Sequence, residues 1–257
     1  MIDIHSHILP GVDDGAQAIE ESIKMAEAAV ADGIETIVAT PHHKNGSYDN
    51  FKHNVLLQVE ELNRTFQERN VRLEVLPGQE TRIYGEMIGG LEKEEILAIN
   101  NNTNYVFVEF PSNAVPRYAT QLFFDLQVAG YQPIIVHPER NKQLIGDPDL
   151  LYSFVKRGSF TQLTAGSVCG HFGKKIKKFS EQLIEANLAH LIATDAHNDS
   201  TRGFCLTEAY SEIRSNFGLD YVYMFSENAE DVVAGDVLAA EPPEHVKKGK
   251  ILGIFNR

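Results

Sequence analysis

In Ile4-His5-Ser6-His7 two imidazoles stand two apart at the end of a short apolar run. Residues so spaced on an extended segment project to one side, so both rings can reach one ion. A single pair of this kind arises readily by accident, and its neighbours decide the matter. Asp13 and Asp14 follow in a Gly-bounded loop, where one carboxylate can return to the strand end. The run 36–39 leads into Thr40-Pro41-His42-His43, again placing imidazoles directly after an apolar stretch. Later runs lead into Glu80, Glu109 and His137, and the last into Asp195-Ala196-His197, a second pair two apart. Spacing alone does not choose between Asp13 and Asp14, or between His42 and His43.

Mixed imidazole and carboxylate donors without thiolate suit Mn, Fe or Zn, and several carboxylates are needed to neutralise and bridge neighbouring cations. The expectation is a polynuclear metal site. Arg140, three residues after His137, and Arg202, just after the Asp195-x-His197 loop, are candidates for gripping phosphate. A planar guanidinium offers paired donors to phosphate oxygens. His53, His171, His190 and His245 lack this context and are assigned ordinary surface or capping roles. Tyr48, Phe51, Tyr84 and Tyr118 could wall an aromatic substrate, although core packing is the better default.

Gathering ligands from distant points needs elements that converge. Seven β-like runs, at 1–4, 36–39, 71–76, 105–108, 134–136, 160–163 and 191–193, alternate with helical patterns. Ile19, Ile23, Ala26 and Val30 predict one helix face, with Gly33 as terminator, and Phe51, Val55, Val59, Leu62 and Phe66 predict another. Further helices are expected around 118–129, 148–156, 174–187 and 207–216. Strand, crossover helix and next strand in succession imply parallel strands with helices outside. No Gly-x-Gly-x-x-Gly turn follows the first run, so a dinucleotide fold gains no support and a barrel of one domain over residues 1–257 is favoured. Strand C-termini in such a barrel form the usual catalytic face. The tail 241–257, with Pro242, Pro243 and three lysines, is expected to wrap the surface.

The balance of 23 Lys plus Arg against 36 Asp plus Glu gives a formal charge of -13, which opposes generic nucleic-acid binding. Cys169 and Cys205 lie far apart in sequence and outside any paired motif, so free buried thiols in a reducing compartment are expected. The first residues show no basic region followed by a long apolar stretch, and no later stretch is apolar enough to cross a bilayer. The expected location is cytoplasmic, without membrane insertion.

In the order His5-x-His7, His42, Glu80, Glu109, His137 and Asp195-x-His197 the chain resembles the PHP superfamily, the polymerase and histidinol phosphatase metal-dependent phosphoesterases. Residues 1–15, Pro77-Gly-Gln-Glu80, His137-Pro-Glu-Arg140, Thr164-Ala-Gly-Ser167 and Asp195-Ala-His-Asn198 narrow the resemblance. They are similar to bacterial protein-tyrosine phosphatases encoded with capsular and exopolysaccharide genes, over almost the entire chain. The resemblance implies an α/β fold, a distorted seven-stranded β/α barrel of the TIM-like kind, with three divalent ions, Mn above Fe or Zn, at the strand C-termini. It implies that His5, His7, Glu80 and Asp195 hold one ion, Glu80, Glu109 and His137 a second, and Asp14, His42 and His197 the third. It also implies a tyrosine-phosphorylated bacterial kinase, and other phosphotyrosine proteins, as partners.

The expected chemistry is attack on phosphorus by a water or hydroxide bridging two ions, since coordination can lower the pKa of water to roughly 7. The absence of a Cys-x5-Arg loop opposes a cysteine phosphatase. A phenolate leaves with less protonic help than an alkoxide, so no dedicated general acid is required. Two rivals share the ligand set: a small-metabolite phosphatase, such as one for histidinol phosphate, and a metal-stabilised interaction module without chemistry.

Overall fold

In the computed structural model, residues 1–247 are described. Nine strands form two sheets whose ladders are all parallel. β1 (Ile2–Ser6), β2 (Thr36–Ala39) and β4 (Glu74–Pro77) make the first sheet, in the order β1-β2-β4. β3 (His42–His43), β5 (Glu80–Arg82), β6 (Tyr105–Glu109), β7 (Gln132–Val136), β8 (Phe160–Thr164) and β9 (Leu191–Ala193) make the second, in that order.

The count of nine differs from the seven runs expected, because two of those runs each continue after a break. Pro41, which has no N–H to give a ladder, separates β2 from β3. Gly78 separates β4 from β5; a Cβ there would lie 2.6 Å from a Val38 methyl, so the chain passes too close for any side chain. Both breaks fall immediately before a residue expected to act at the site, His42 and Glu80. The third run is also shorter than 71–76 at its start, because 71–73 only approach β4.

Helices connect the strands and bury one face each. In α1 (Ile19–Ala31) Ser22, Met25, Ala26 and Ala29 are buried; of the predicted Ile19, Ile23, Ala26 and Val30, Ala26 is buried, Ile19 and Ile23 are partly buried against the core, and Val30 is exposed. In α2 (Lys52–Glu68) Val55, Val59, Leu62 and Phe66 are buried as the pattern predicts. α3 (Met87–Glu92), α4 (Ala119–Val128), α5 (Lys142–Gly146), α6 (Pro148–Val155), α7 (Ala165–Cys169), α8 (Lys174–Glu185), α9 (Leu206–Phe217) and α10 (Leu219–Ala234) complete the set. No helix among the described residues is long and apolar enough to cross a membrane.

Alternate residues of both sheets meet in one inner apolar cluster. Ile4 and Val38 from the first sheet join Tyr105, Phe107, Ile134, Val136, Leu191 and Ala193 from the second. Ala229 and Val232 of α10 belong to the same cluster, and Tyr105 Oη donates to the Asp236 carbonyl at 2.6 Å. α10 therefore covers the end where strands begin, leaving the end where they finish for chemistry. A second, larger core lies between strands and outer helices. Of the expected surface tail, residues 241–247 run along the outside, with Glu244 N–H donating to the Ala186 carbonyl at 2.8 Å. Residues 248–257 of that expectation lie outside the described residues.

Candidate metal centre

The strand exits converge on Glu80, which begins β5 and is fully buried. His7 Nε2 and His5 Nε2 lie 3.4 and 3.5 Å from its Oε2, His42 Nδ1 lies 2.7 Å from the same oxygen, and His137 Nε2 lies 2.6 Å from Oε1. Asp195 Oδ1 sits 3.3 Å from His7 Nε2 and 3.5 Å from His5 Nε2. Asp14 Oδ1 reaches His42 Nε2 at 3.3 Å and His197 Nε2 at 3.5 Å. Glu109 Oε2 stands 3.9 Å from His42 Nδ1. All nine residues read as candidate ligands in the sequence thus share one region, assembled from β1, β3, β5, β6 and the turns after β1, β7 and β9.

Two of these turns adopt backbone conformations unfavourable to side chains. His137 has φ 36° and Asp195 φ 53°, both left-handed although neither is glycine. Such residues cost about 1–3 kcal/mol each and persist where the surroundings impose them. Here each sits at a strand exit, His137 turning its side chain to Glu80 and Asp195 to His5 and His7.

Donor atoms group in ways that suit ions. His7, Asp14, His42 and His197 form one set, His5, His7 and Glu80 another, and His42, Glu80 and Glu109 a third; within each, the ligand atoms lie within 4.8 Å of one another. His5 Nε2, His7 Nε2, His42 Nδ1, His197 Nε2 and Glu80 Oε2 are buried and make no hydrogen bond. Buried polar atoms are almost always satisfied, so such atoms aimed at one another need a common partner. Imidazole lone pairs and carboxylates in this number fit divalent cations.

The electrostatics of the metal-free centre follow from crowding. Burial works against a charged His42, but the Glu80 and Asp14 carboxylates overcome it and raise the ring to about 10. Burial raises Glu109 to about 7, with Glu80 adding to the rise and Arg82 opposing it. Burial and the Arg140 guanidinium together lower His137 to about 4, despite Glu80. Burial opposes ionisation of Asp195, yet Arg140 and His5 hold its carboxyl well below the usual range.

Arg140 and Arg202 both reach Asp195 Oδ2, Arg202 at 3.3 Å. They line a cleft of about 290 Å³ together with His42, Glu80, Glu109, His137 and Asp195. Phe110, Val136 and Pro138 give it an apolar wall. None of Tyr48, Phe51, Tyr84 and Tyr118 lines this cleft, and Phe51 instead packs edge-on against His43 at 5.2 Å. His43 is buried, and burial lowers it to about 4, keeping it neutral and apart from the cluster that His42 joins.

The structure adds three residues that the sequence reading does not assign. Asp13 Oδ2 sits 2.7 Å from His7 Nδ1 and accepts the His42 backbone N–H at 3.1 Å, so Asp13 holds the His7 ring and the His42 backbone while Asp14 faces the cluster. Gln162 Oε1 lies 2.9 Å from His5 Nδ1. Arg82 grips Glu109 with two hydrogen bonds of 2.9 Å. Its signal was available, since Arg82 stands two residues after Glu80 on one strand, the spacing that singled out His5 and His7.

Of the remaining histidines, His53 is exposed and His245 pairs with Asp149 at 2.6 Å on the surface. His190 departs from the surface or capping role assigned to it: it is buried, with Nδ1 accepting the Thr161 N–H at 3.1 Å. Both cysteines are free; Cys205 is buried as expected, whereas Cys169 is only partly buried.

Comparison with known proteins bears on this centre. The chain is 49% identical over 255 residues to the tyrosine-protein phosphatase YwqE of Bacillus subtilis, covering 99% of this chain and 100% of that protein. It is 38% identical over 256 residues to CapC of Staphylococcus aureus, covering 99% and 100% respectively. A crystal structure reported for YwqE from Bacillus subtilis and CpsB from Streptococcus pneumoniae, described as unique metal-dependent tyrosine phosphatases, superposes with a TM-score of 0.94. That match has 49% identity and covers 96% of this chain and 100% of that one. Residues 1–234 match the family described as capsular polysaccharide synthesis, CpsB/CapC, and the chain belongs to that family.

Proposed function

We propose that the protein is a metal-dependent protein-tyrosine phosphatase acting in capsular or exopolysaccharide synthesis. The observation that carries this is the set of buried, unpartnered imidazole and carboxylate atoms converging on Glu80 beside two arginines. Membership of the CpsB/CapC family and the likeness to YwqE favour phosphotyrosine over histidinol phosphate and over a module without chemistry.

On this reading residues 1–257 form one catalytic domain, and the two sheets are read as one distorted seven-stranded barrel. The inner cluster shared by both sheets supports this, as does the parallel bridge between Ser6 and Ala196 that joins β1 to the segment after β9. Three divalent ions would be held by His5, His7, Asp14, His42, Glu80, Glu109, His137, Asp195 and His197, whose mixed nitrogen and oxygen donors suit Mn2+, Fe2+ or Zn2+, with Mn2+ favoured by the family resemblance. When bound, such ions act as Lewis acids and bring the pKa of water to roughly 7, making a nucleophile accessible near neutral pH.

The chain's own residues do the rest. Glu80, with an oxygen facing His5, His7 and His42 and another facing His137, links the ligand groups. Asp13 holds His7 with its Nδ1 occupied, leaving Nε2 as the free donor. Arg140 and Arg202 offer N–H groups to the phosphate oxygens, and Phe110, Val136 and Pro138 receive the aromatic ring. The tyrosine phenolate, with a pKa near 10, departs without a dedicated acid.

The partner is a tyrosine-phosphorylated bacterial kinase, or another phosphotyrosine protein, met in the cytoplasm, where free cysteines are stable. The test is phosphate release from a phosphotyrosine peptide by metal-stripped protein, with and without Mn2+, beside histidinol phosphate and a phosphodiester. Release that needs metal and favours the peptide is expected. Preference for either competitor would change the substrate, and no hydrolysis with any metal would remove the enzymatic reading.

A further inference from the structure

Away from the cleft, two short motifs are brought together by the packing of α7 on α9. Cys169 ends α7, and Gly170, at φ +93°, turns the chain so that His171 comes back beside it. The His171 N–H donates to the Gly166 carbonyl at 2.8 Å, and its Nδ1 lies 3.5 Å from where a Gly166 Cβ would stand. Glycine at 166 thus leaves space for the ring, whose Nε2 points at Glu208 Oε2, 3.5 Å away. Cys205 is the N-cap residue of α9 and Glu208 lies in its first turn, three residues on and therefore on the same face.

Ligand atoms of Cys169, His171 and Glu208 lie within 4.8 Å of one another. Cys205 and His171 line one small pocket beside this group. We propose that Cys169, His171 and Glu208 form a separate metal site for a thiophilic divalent ion of the zinc class. One sulfur, one imidazole nitrogen and one carboxylate oxygen are donors of the kind zinc takes, with water able to complete the tetrahedron, whereas the cleft contains no sulfur. A tetrahedral ion with bonds of about 2.0–2.3 Å separates its donors by about 3.3–3.8 Å, so the half-exposed His171 and Glu208 side chains need to close by only about 1 Å. Cys205 and burial raise the Cys169 thiol from its ordinary value, and the Glu208 and Glu212 carboxylates add a negative field that favours a cation. Lys177, the cation beside them, is held by Glu212 at 2.6 Å. An ion here ties the end of α7 to the start of α9, fixing the segment that leads from Arg202 into Cys205.

This site does not depend on the phosphatase reading, and its test reads metal directly. Cys169 and Cys205 are the only cysteines in the chain, so any thiolate signal must come from them. Reduced protein whose main centre has been filled with Mn2+ is titrated with Co2+, then with Zn2+. One equivalent of Co2+ is expected to give an intense near-ultraviolet sulfur-to-cobalt band that Zn2+ abolishes. The band should vanish in Cys169→Ser, and His171→Ala, at an exposed position that folding tolerates, should raise the Co2+ needed by about tenfold or more. Wild-type protein without the band, a band that survives Cys169→Ser, or unchanged Co2+ binding by His171→Ala would overturn the site.

Discussion

Replacing Asp13 by Asn separates a residue that supports the centre from one that faces it. The Asp13 carboxylate meets His7 Nδ1 at 2.7 Å, the His42 N–H at 3.1 Å and the Gly15 N–H at 2.9 Å. Asparagine keeps the shape but has one acceptor oxygen. If that oxygen stays on Gly15, its NH2 group confronts two donors, the His7 ring and the His42 backbone. Loss of such an outer partner of a ligating histidine typically costs about 10–100-fold in metal affinity, or about 1.4–2.7 kcal/mol. Chelator competition should show Asp13→Asn binding Mn2+ that much more weakly, with phosphotyrosine turnover recovering at high Mn2+. Asp14→Asn removes a proposed ligand that reaches His42 and His197, so its turnover should not recover in the same range. Wild-type Mn2+ affinity in Asp13→Asn, or recovery by Asp14→Asn at the same Mn2+ concentration, would refute the division of labour.

Arg140→Ala should lower kcat/KM by about 10²–10³ with metal content unchanged, the cost of losing a preorganised charge on the transferred group. Arg202 is more exposed, so Arg202→Ala should cost only about tenfold; unchanged kinetics in either variant removes that residue from the mechanism. In metal-stripped protein the His42 pairing stabilises the fold fully below 6.5, its ordinary value, and is lost as pH rises through about 10. Denaturant unfolding of the stripped protein should therefore show stability falling across that window, a slope that His42→Gln removes; an identical slope in the variant assigns it elsewhere. Gly15→Ala would set a Cβ 2.0 Å from the His7 carbonyl oxygen and 2.5 Å from the His7 Cβ, costing about 3 kcal/mol, to be read from the denaturation midpoint.

The strand exits were legible because each pairs a local signal, an apolar run, with an abrupt polar residue of ligand type. Glu80 shows the rule well: its chemistry announces itself after 71–77, although the split into β4 and β5 at Gly78 depends on how closely Val38 packs there. The choice of His42 over His43 needed three dimensions, because both follow the same run and only the sheet decides which ring faces Glu80. α10 is a different kind of omission: Val222, Phe225, Ala229 and Val232 carry a helical spacing of three, four and three, yet no element was assigned there. The meeting of Cys169 with Glu208 is a product of α7 packing on α9, and no local pattern encodes it.

The centre is also where the fold is least self-sufficient. Between the sheets the described backbone offers little at the strand exits beyond the Ser6–Ala196 bridge and the links through Pro41 and Gly78. Beside Gln162 on His5 and Asp3 on Thr194, the side chains that cross this boundary include the proposed ligands: His5 and His7 from the first sheet face Glu80 from the second and Asp195 after β9. Without ions, these groups are held by strained turns at His137 and Asp195 and leave buried atoms unpaired, which opposes stability. With ions, the same atoms become cross-links between the sheets. Metal binding and closure of the catalytic end are thus one event on the proposed reading, while the inner core sealed by α10 keeps the opposite end folded throughout. Hydrogen exchange should then show metal-dependent protection concentrated at the exits of β1, β5 and β9, and little change in α10; uniform protection along the strands would separate metal binding from closure.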